Sequence, residues 1–500
     1  MKDRGYITVF LTLMLSGIVM LFVALYTLAD MRNAKGRAAA ALRSAMSGVR
    51  AEYDRYIFDH YHVLLLDSNM DGEGTGKLEE LIRERMQANL GDDYNVKDVV
   101  LYGTTGLMDD RLAEFTEQMK DASLYMAADH GVDYLKEKVN GGESPISSDS
   151  FREGDEASQD GLIDGDREPE EEDVEEGKEE DKEKEEEKEK EEAPLSQLEE
   201  VEKNSELKKK DPRKKTRAIG MLSPATLLLP EGTELSEETL VPEELPSYGR
   251  TGIQAITMDL QFKSYDRLKR DTFQTEGWLD GLASAGAGLI YAGECFNCLT
   301  DEVQEDTVMK LEMEYLIAGG KTDLESFSGT INRILAIRLG CNLAYILTDA
   351  KKMALCMEIA TAVCWIFPPA APVVKYLIAG AWSYLEGVAD TYRLTHGKKT
   401  PYLKTAATWI TDIEGLANLE DALTGDDVEN GLDYKDYLLI LLAANMDTAN
   451  YRMLDLMQCN ANQDAGEHKL SMRDAVTAIG VSVDVEYQGS TFTLEEEIGY

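Results

Sequence analysis

The sequence predicts a mainly α-helical protein. An N-terminal transmembrane helix continues into a helical body, with a disordered acidic insertion and a small C-terminal β element. Three observations carry that expectation. Residues 7–29, ITVFLTLMLSGIVMLFVALYTLA, hold no charge. Residues 168–192 are almost wholly Glu, Asp and Lys. Between Leu260 and Asn460, apolar residues recur at helical spacing.

The elements follow in order. Residues 1–6 form a short N-terminal segment, and residues 7–29 a transmembrane helix. A single span needs about 20 apolar residues. The run is longer than the apolar core of a secretory signal, and Leu28-Ala29-Asp30 is a poor cleavage site. An uncleaved anchor is therefore expected, with removal of the segment as the competing reading. Lys2 and Arg4 favour a cytoplasmic N-terminus, whereas Arg32, Lys35, Arg37 and Arg43 argue the other way. Composition alone leaves the orientation open.

Residues 30–142 read as a membrane-proximal helical region. The first helix has no proline to stop it before about His62, which makes it on the order of 80 Å long at about 1.5 Å per residue. Ala34, Ala38, Ala41 and Ala45 make a stripe of small residues along it, suited to close approach by a partner helix or by the protein's own body. The spacing of Leu78, Leu81, Ile82 and Met86 predicts an amphipathic helix, and Val96–Gly103 predicts a strand. RLAEFTEQMKDASLYMAADHGVDYLKEKV predicts a further helix.

Residues 143–217 are expected to be a disordered acidic and basic linker, because they offer too little apolar surface to offset chain entropy. Residues 218–480 read as a second helical region. Leu324, Phe327, Ile331, Ile334 and Leu335 form one of its apolar stripes. MALCMEIATAVCWIF and APVVKYLIAGAWSYLEGVAD, separated by Pro368-Pro369, read as a helical hairpin. Each arm is short for a span and Glu358, Lys375 and Glu386 interrupt them, so buried core is the better reading than a second membrane insertion. Residues 481–500 predict a β-hairpin turning at Gln488-Gly489-Ser490.

Composition narrows the function. A net charge of -44 disfavours nucleic acid and anionic lipid as partners for the bulk of the chain. Six cysteines are too few for a disulfide scaffold at this length, and five histidines offer little for a His-rich metal site. Asp67, Asn69 and Asp71, followed by Gly72, have the spacing of a calcium loop between two helices. The closing acid is displaced, since Leu78 holds the twelfth place and Glu79 the next, so an ordinary helix–helix turn explains the same residues. Calcium is the one cofactor this pattern admits. GEGTGK lacks phosphate-loop spacing, and GAGLIYAG is not a dinucleotide fingerprint. Cys295 and Cys298 have CxxC spacing without a second pair or a βαβ setting, which favours two half-buried core cysteines. HExxH and GxSxG are absent.

GYITVFLTLML, EYDRYIFDHYHVLLLD, GTGKLEELIRERM, EYLIAGGKTDLESFSGTINRILAIRLGCNLAYILTD and APVVKYLIAGAWSYLEGVAD together resemble an uncharacterised membrane-protein family of Gram-positive bacteria, found beside genes for Tad-type pilus assembly. The most specific part spans Glu314 to Phe327. The N-terminus is also similar to pseudopilin and TadE-like proteins, with Gly5 in the place of a leader glycine. It departs from pilins at Phe10, where they carry Glu. The resemblance implies an N-inside, single-pass protein of the cell membrane with its bulk extracytoplasmic. It also implies pilus or secretion-system proteins as partners. The expected function is therefore non-enzymatic: a membrane-anchored envelope protein, accessory or pseudopilin-like. The alternative is a cell-surface enzyme or a calcium-dependent binding protein.

Overall fold

The computed structural model describes residues 4–70, 74–130, 203–221, 223–248, 279–302, 307–416, 418–424, 427–428, 431–463 and 469–500. The chain is mainly helical, as its periodicity predicts. Helix α1 (Arg4–Arg50) carries the apolar run and the alanine stripe without a break. It stops at Arg50, well short of His62. Asp54 accepts a hydrogen bond from the Ile57 amide at 2.9 Å and so caps a separate short helix, α2 (Arg55–Tyr61). His62 closes α2 in the left-handed region at φ 54°. This local capping competes with continuation of α1, and the chain then turns into strand β1 (Leu66–Asp67). Helix α3 (Gly76–Leu90) buries Leu78, Ile82 and Met86.

Strand β2 (Tyr94–Gly106) follows, then helix α4 (Asp109–His130), whose first turn is left-handed at Asp110, Arg111 and Leu112. The long hairpin of β3 (Ala475–Tyr487) and β4 (Ser490–Gly499) lies at the other end of the chain. Its turn puts Gln488 at φ 47° and Gly489 at φ 78°, the two left-handed positions that a two-residue hairpin requires. The hairpin begins at Ala475 rather than 481, and it is not a separate element. Strand β3 is central: β2 pairs along one edge, from Tyr94 opposite Tyr487 to Gly106 opposite Val476, while β4 and β1 pair along the other, all antiparallel. The regions on either side of the insertion therefore share one sheet.

Ile479, Val481, Val483 and Val485 alternate onto one sheet face, where α1 and α3 cover them. Ala34, Ala38, Ala41 and Ala45 are buried in this layer with Leu42, Met46 and Val49. The alanine stripe serves the protein's own core.

The larger core is helical. It is built from α4, α7 (Leu279–Cys295), α8 (Glu312–Ala318), α9 (Asp323–Thr348), α12 (Tyr434–Ala444) and α13 (Met446–Ala461), with part of α11 (Ala371–Thr395). Thr322 caps α9, and Asp433 and Asp436 form a reciprocal capping box on α12. Phe327, Ile331, Ile334 and Leu335 are buried as the stripe predicts, but Leu324 is exposed. A third core joins α9, α10 (Ala350–Val363) and α11 around Trp382, Ile359 and Ile378.

The disordered insertion expected over 143–217 lies outside the described residues as far as 202. Its basic end departs from that expectation, because residues 203–217 belong to the folded body and lead into α5 (Arg213–Met221) and α6 (Pro224–Leu228). Leu207 packs on the third core, and buried Asp211 receives Arg213 at 2.7 Å. One leucine and one acid give this basic segment the anchorage that its composition hides.

Two outcomes test these contacts. A Cβ on Gly320 would lie 2.5 Å from the Ser326 amide nitrogen, which is backbone and cannot yield cheaply. Gly320→Ala should cost about 1–3 kcal/mol by urea denaturation, whereas Gly36→Ala, with nothing within 4 Å of its Cβ, should not destabilise. Ala38→Leu should overpack the α1–sheet layer by a similar ~1–3 kcal/mol; an unchanged thermal midpoint would place Ala38 outside that core.

Candidate functional site

Helix α1 carries two different surfaces along one axis. From Thr8 to Ala29 its side chains are all exposed, and it is the one helix among the described residues long and apolar enough to cross a membrane. Asp30 then accepts a hydrogen bond from the Tyr487 hydroxyl at 3.1 Å, beside the β3–β4 turn. Ala34, one turn further on, is 2% exposed. The apolar half therefore leaves the body directly, as an extension of a helix that the sheet and α3 grip.

Buried acids form the second conspicuous feature. Six of the seven residues of α8 are buried, Glu312 and Glu314 among them. Glu312 accepts from the Asn297 amide at 3.0 Å and from the Asn460 side chain at 2.8 Å. Glu314 Oε1 accepts from the Leu299 amide at 3.1 Å and the Tyr434 hydroxyl at 2.9 Å, while its Oε2 has no partner. Asp323 receives the amides of Ser236, Lys310 and Leu311. Asp455 receives the Ser247 amide and the Tyr315 hydroxyl, both at 2.8 Å. Burial pushes the Glu312 and Glu314 carboxyls up to about 7, and Asp455 up to about 6.

Raised carboxyls beside tyrosines often mark catalytic sites. Here Glu312, Glu314 and Asp455 accept from backbone amides at residues 297, 299 and 247, and the neighbouring Asp323 accepts from those at 236, 310 and 311, while Glu314 Oε2 alone of these oxygens is left without a partner among the described residues. Each acid closes the hydrogen bonding of an irregular segment that would otherwise bury unpaired N–H groups. Arg452 does the complementary work at the other end of α8, donating to the Leu316 and Ile317 carbonyls at 2.8 Å.

A separate ionic group joins α9 and α11. Arg338 meets Asp390 Oδ2 at 2.8 Å, and Lys404 lies 2.7 Å from Asp390 Oδ1 and 2.6 Å from Glu386, all four side chains being fully buried. Burial alone would raise the Asp390 carboxyl, but Arg338 and Lys404 hold it below its ordinary range. Arg338 also donates to the Pro401 and Tyr402 carbonyls, and Glu386 accepts from the amides of Ile410 and Thr411. Two cations balance two anions, and the remaining capacity pins the 401–411 loop.

The cysteines read from the sequence as core residues are free thiols. Cys295 closes α7, Cys298 follows in the next turn, and burial pushes both up to about 12, which keeps them protonated. Of the calcium-loop residues, Asp67 Oδ1 accepts from the Asn69 amide at 2.9 Å, and Asn69 Oδ1 accepts from the Gly74 amide at 2.6 Å. The Asn69 amide group reaches Asp474 at 3.3 Å. Asp71 lies outside the described residues. No three His, Cys, Asp or Glu side chains converge as a metal set among the described residues.

The buried acids escape sequence reading because the chain holds 95 Asp and Glu, and nothing local separates Glu312, Glu314, Asp323 and Asp455 from the many that are solvated. The one available signal was Glu314 and Asp323 inside an apolar motif, EYLIAGGKTD.

Residues 184–487 match the Family of unknown function (DUF5702), and the chain belongs to that family. The matched region runs from the acidic tract through α8 to the last residue of β3. No curated protein and no solved structure matches the chain.

The buried acids set a pH dependence. Between an ordinary 4.5 and a folded value of about 7, Glu312 and Glu314 hold protons that the unfolded chain has released. Stability from these groups is thus fully present below pH 4.5, falls as pH rises towards 7 and levels off above it. Glu314→Gln keeps the Oε1 contacts and removes the charge. It should raise stability at pH 8 by about 1–3 kcal/mol and narrow the difference in Tm between pH 5.5 and pH 8. A variant less stable than the parent at pH 8 would show that the carboxylate is needed ionised.

Proposed function

We propose that this member of a family of unknown function is a non-enzymatic, membrane-anchored envelope protein, an accessory or pseudopilin-like component of a Tad-type pilus or secretion system. The observation that carries the reading is the division of α1. Its apolar half is exposed along its whole length from Thr8 to Ala29, and its alanine-rich half is locked into the sheet layer. A helix built in this way transmits the position of the membrane to the body without a flexible joint.

The reading is single-pass, with the N-terminus inside and the body outside. The pilus context rests on the sequence resemblance, which includes the motif from Glu314 to Phe327. The buried acids and cations support a structural body, since their capacity is used in holding loops. The surface left for assembly within the membrane is the exposed half of α1. Gly17 lies in that half with nothing within 4 Å of its Cβ position, a place where a second helix can approach closely.

Protease added to intact protoplasts should digest the body, and digestion only after lysis would reverse the orientation. A photo-crosslinker at Leu21 in the full chain should capture other envelope subunits in native membranes. Gly17→Leu should weaken that capture without changing the thermal midpoint of the body. Capture of lipid alone, equal in parent and variant, would leave α1 as an anchor and remove its assembly role.

A further inference from the structure

Helices α10 and α11 meet at a tip that is unusually apolar for this chain. Trp365, Ile366 and Phe367 are 62%, 80% and 64% exposed, and Pro368 and Pro369 beside them are exposed too. On the first turns of α11, Val373, Tyr376 and Leu377 continue the patch at helical spacing, all exposed. From Thr361 to Gly380, the only charged residue is Lys375, in a protein of net charge -44. Large exposed side chains that follow one another in a turn and along one helix face make a contiguous surface, which water-facing proteins seldom leave uncovered.

The charges next to the tip are positive. Lys208 places its ammonium 5.1 Å from the Trp365 ring centre, and Lys375 lies 4.5 Å from that of Tyr376. Leu207 packs beneath, in the same core as Cys364 and Val363. The folded basic segment therefore meets the tip at Lys208, and Lys209, Lys210 and Lys214 of the same segment are exposed. Asp211, the acid within the segment, is already paired with Arg213.

We propose that the α10–α11 tip is a second membrane contact, in which Trp365, Ile366 and Phe367 enter the headgroup region of an anionic bilayer while the Lys208–Lys214 segment meets the phosphates. Apolar side chains at the point, aromatic rings at the rim and long cationic side chains around them match the graded polarity of a bilayer surface. Lys208 and Lys375 hold their ammonium groups over the aromatic rings of the tip, which sets positive charge directly against its apolar surface. Charge complementarity selects an anionic lipid surface over a second copy of this chain, whose own tip carries the same lysines. The inference rests on the membrane anchoring proposed above in one respect: α1 keeps the tip at high effective concentration near lipid.

The test uses the full chain in vesicles of equal parts phosphatidylglycerol and phosphatidylcholine with brominated acyl chains. Trp365→Phe isolates the emission of Trp365. The component that this substitution removes should be quenched by the bromines. Ile366→Ser with Phe367→Ser should relieve the quenching while leaving the thermal midpoint unchanged. Lys208→Gln, Lys209→Gln and Lys210→Gln together should reduce it and flatten its dependence on salt. Flotation of the protein with vesicles in which Trp365 is unquenched would overturn the tip contact and leave the anchor standing. Failure to float would overturn both. Trp365 unquenched by lipid and also shielded from acrylamide would place protein over the tip and overturn the proposal in favour of a protein partner.

Discussion

The antiparallel pairing of β2 with β3 is the interaction on which the rest of this architecture depends. It joins Thr105 to Ala478, across most of the chain, and so closes a loop that contains the acidic insertion and nearly all of the helical body. Closure entropy grows only slowly with loop length, so a long insertion between the two strands is tolerated. Once β3 is in place, β1 and β4 complete its other edge, and the apolar face of the sheet becomes the bed for α1 and α3. The link between the apolar helix and the body is thus made by residues from the two ends of the sequence.

The helical body solves a different problem. Loop amides at Ser236, Ser247, Asn297, Leu311 and Thr411 point into the protein and need acceptors. Buried carboxylates supply them. An isolated buried charge is costly, so Glu312 and Glu314 are held protonated by a raised pKa, whereas Asp390 and Glu386 are balanced by cations. The first solution favours an acidic medium, whereas the second holds the Asp390 carboxyl below its ordinary range. The two coexist in one domain because the loops around α8 bring no cation to Glu314, whereas the loop after α11 brings Lys404.

Charge is also distributed unevenly over the surface. The tract over residues 168–192 is densely acidic, yet the next folded segment is basic and lies against the apolar tip of the α10–α11 hairpin. A chain that looks uniformly anionic in composition therefore presents a local cationic and apolar edge. Near a membrane, the local surface decides the interaction, because ions screen charges more than about 8–10 Å away.

The sequence by itself determined the elements whose signal is local and strong. The uncharged run at residues 7–29, the amphipathic period of Leu78, Ile82 and Met86, the two-residue turn at Gln488-Gly489 and the proline-broken hairpin all recur in the structure. These follow from period and turn chemistry, which need no knowledge of distant residues. Local capping at Asp54 was present in the sequence but outweighed there by apolar periodicity, so the break after Arg50 was missed. Tertiary structure alone decided that the C-terminal hairpin is the middle of a sheet, that the alanine stripe faces this sheet, and that Leu207 and Asp211 draw a basic tract into the fold. It alone also singled out Glu312, Glu314, Asp323 and Asp455 among the 95 acids. Each of these depends on partners tens to hundreds of residues away, and burial, which gives a carboxylate its altered chemistry, is a property of those partners rather than of the residue itself.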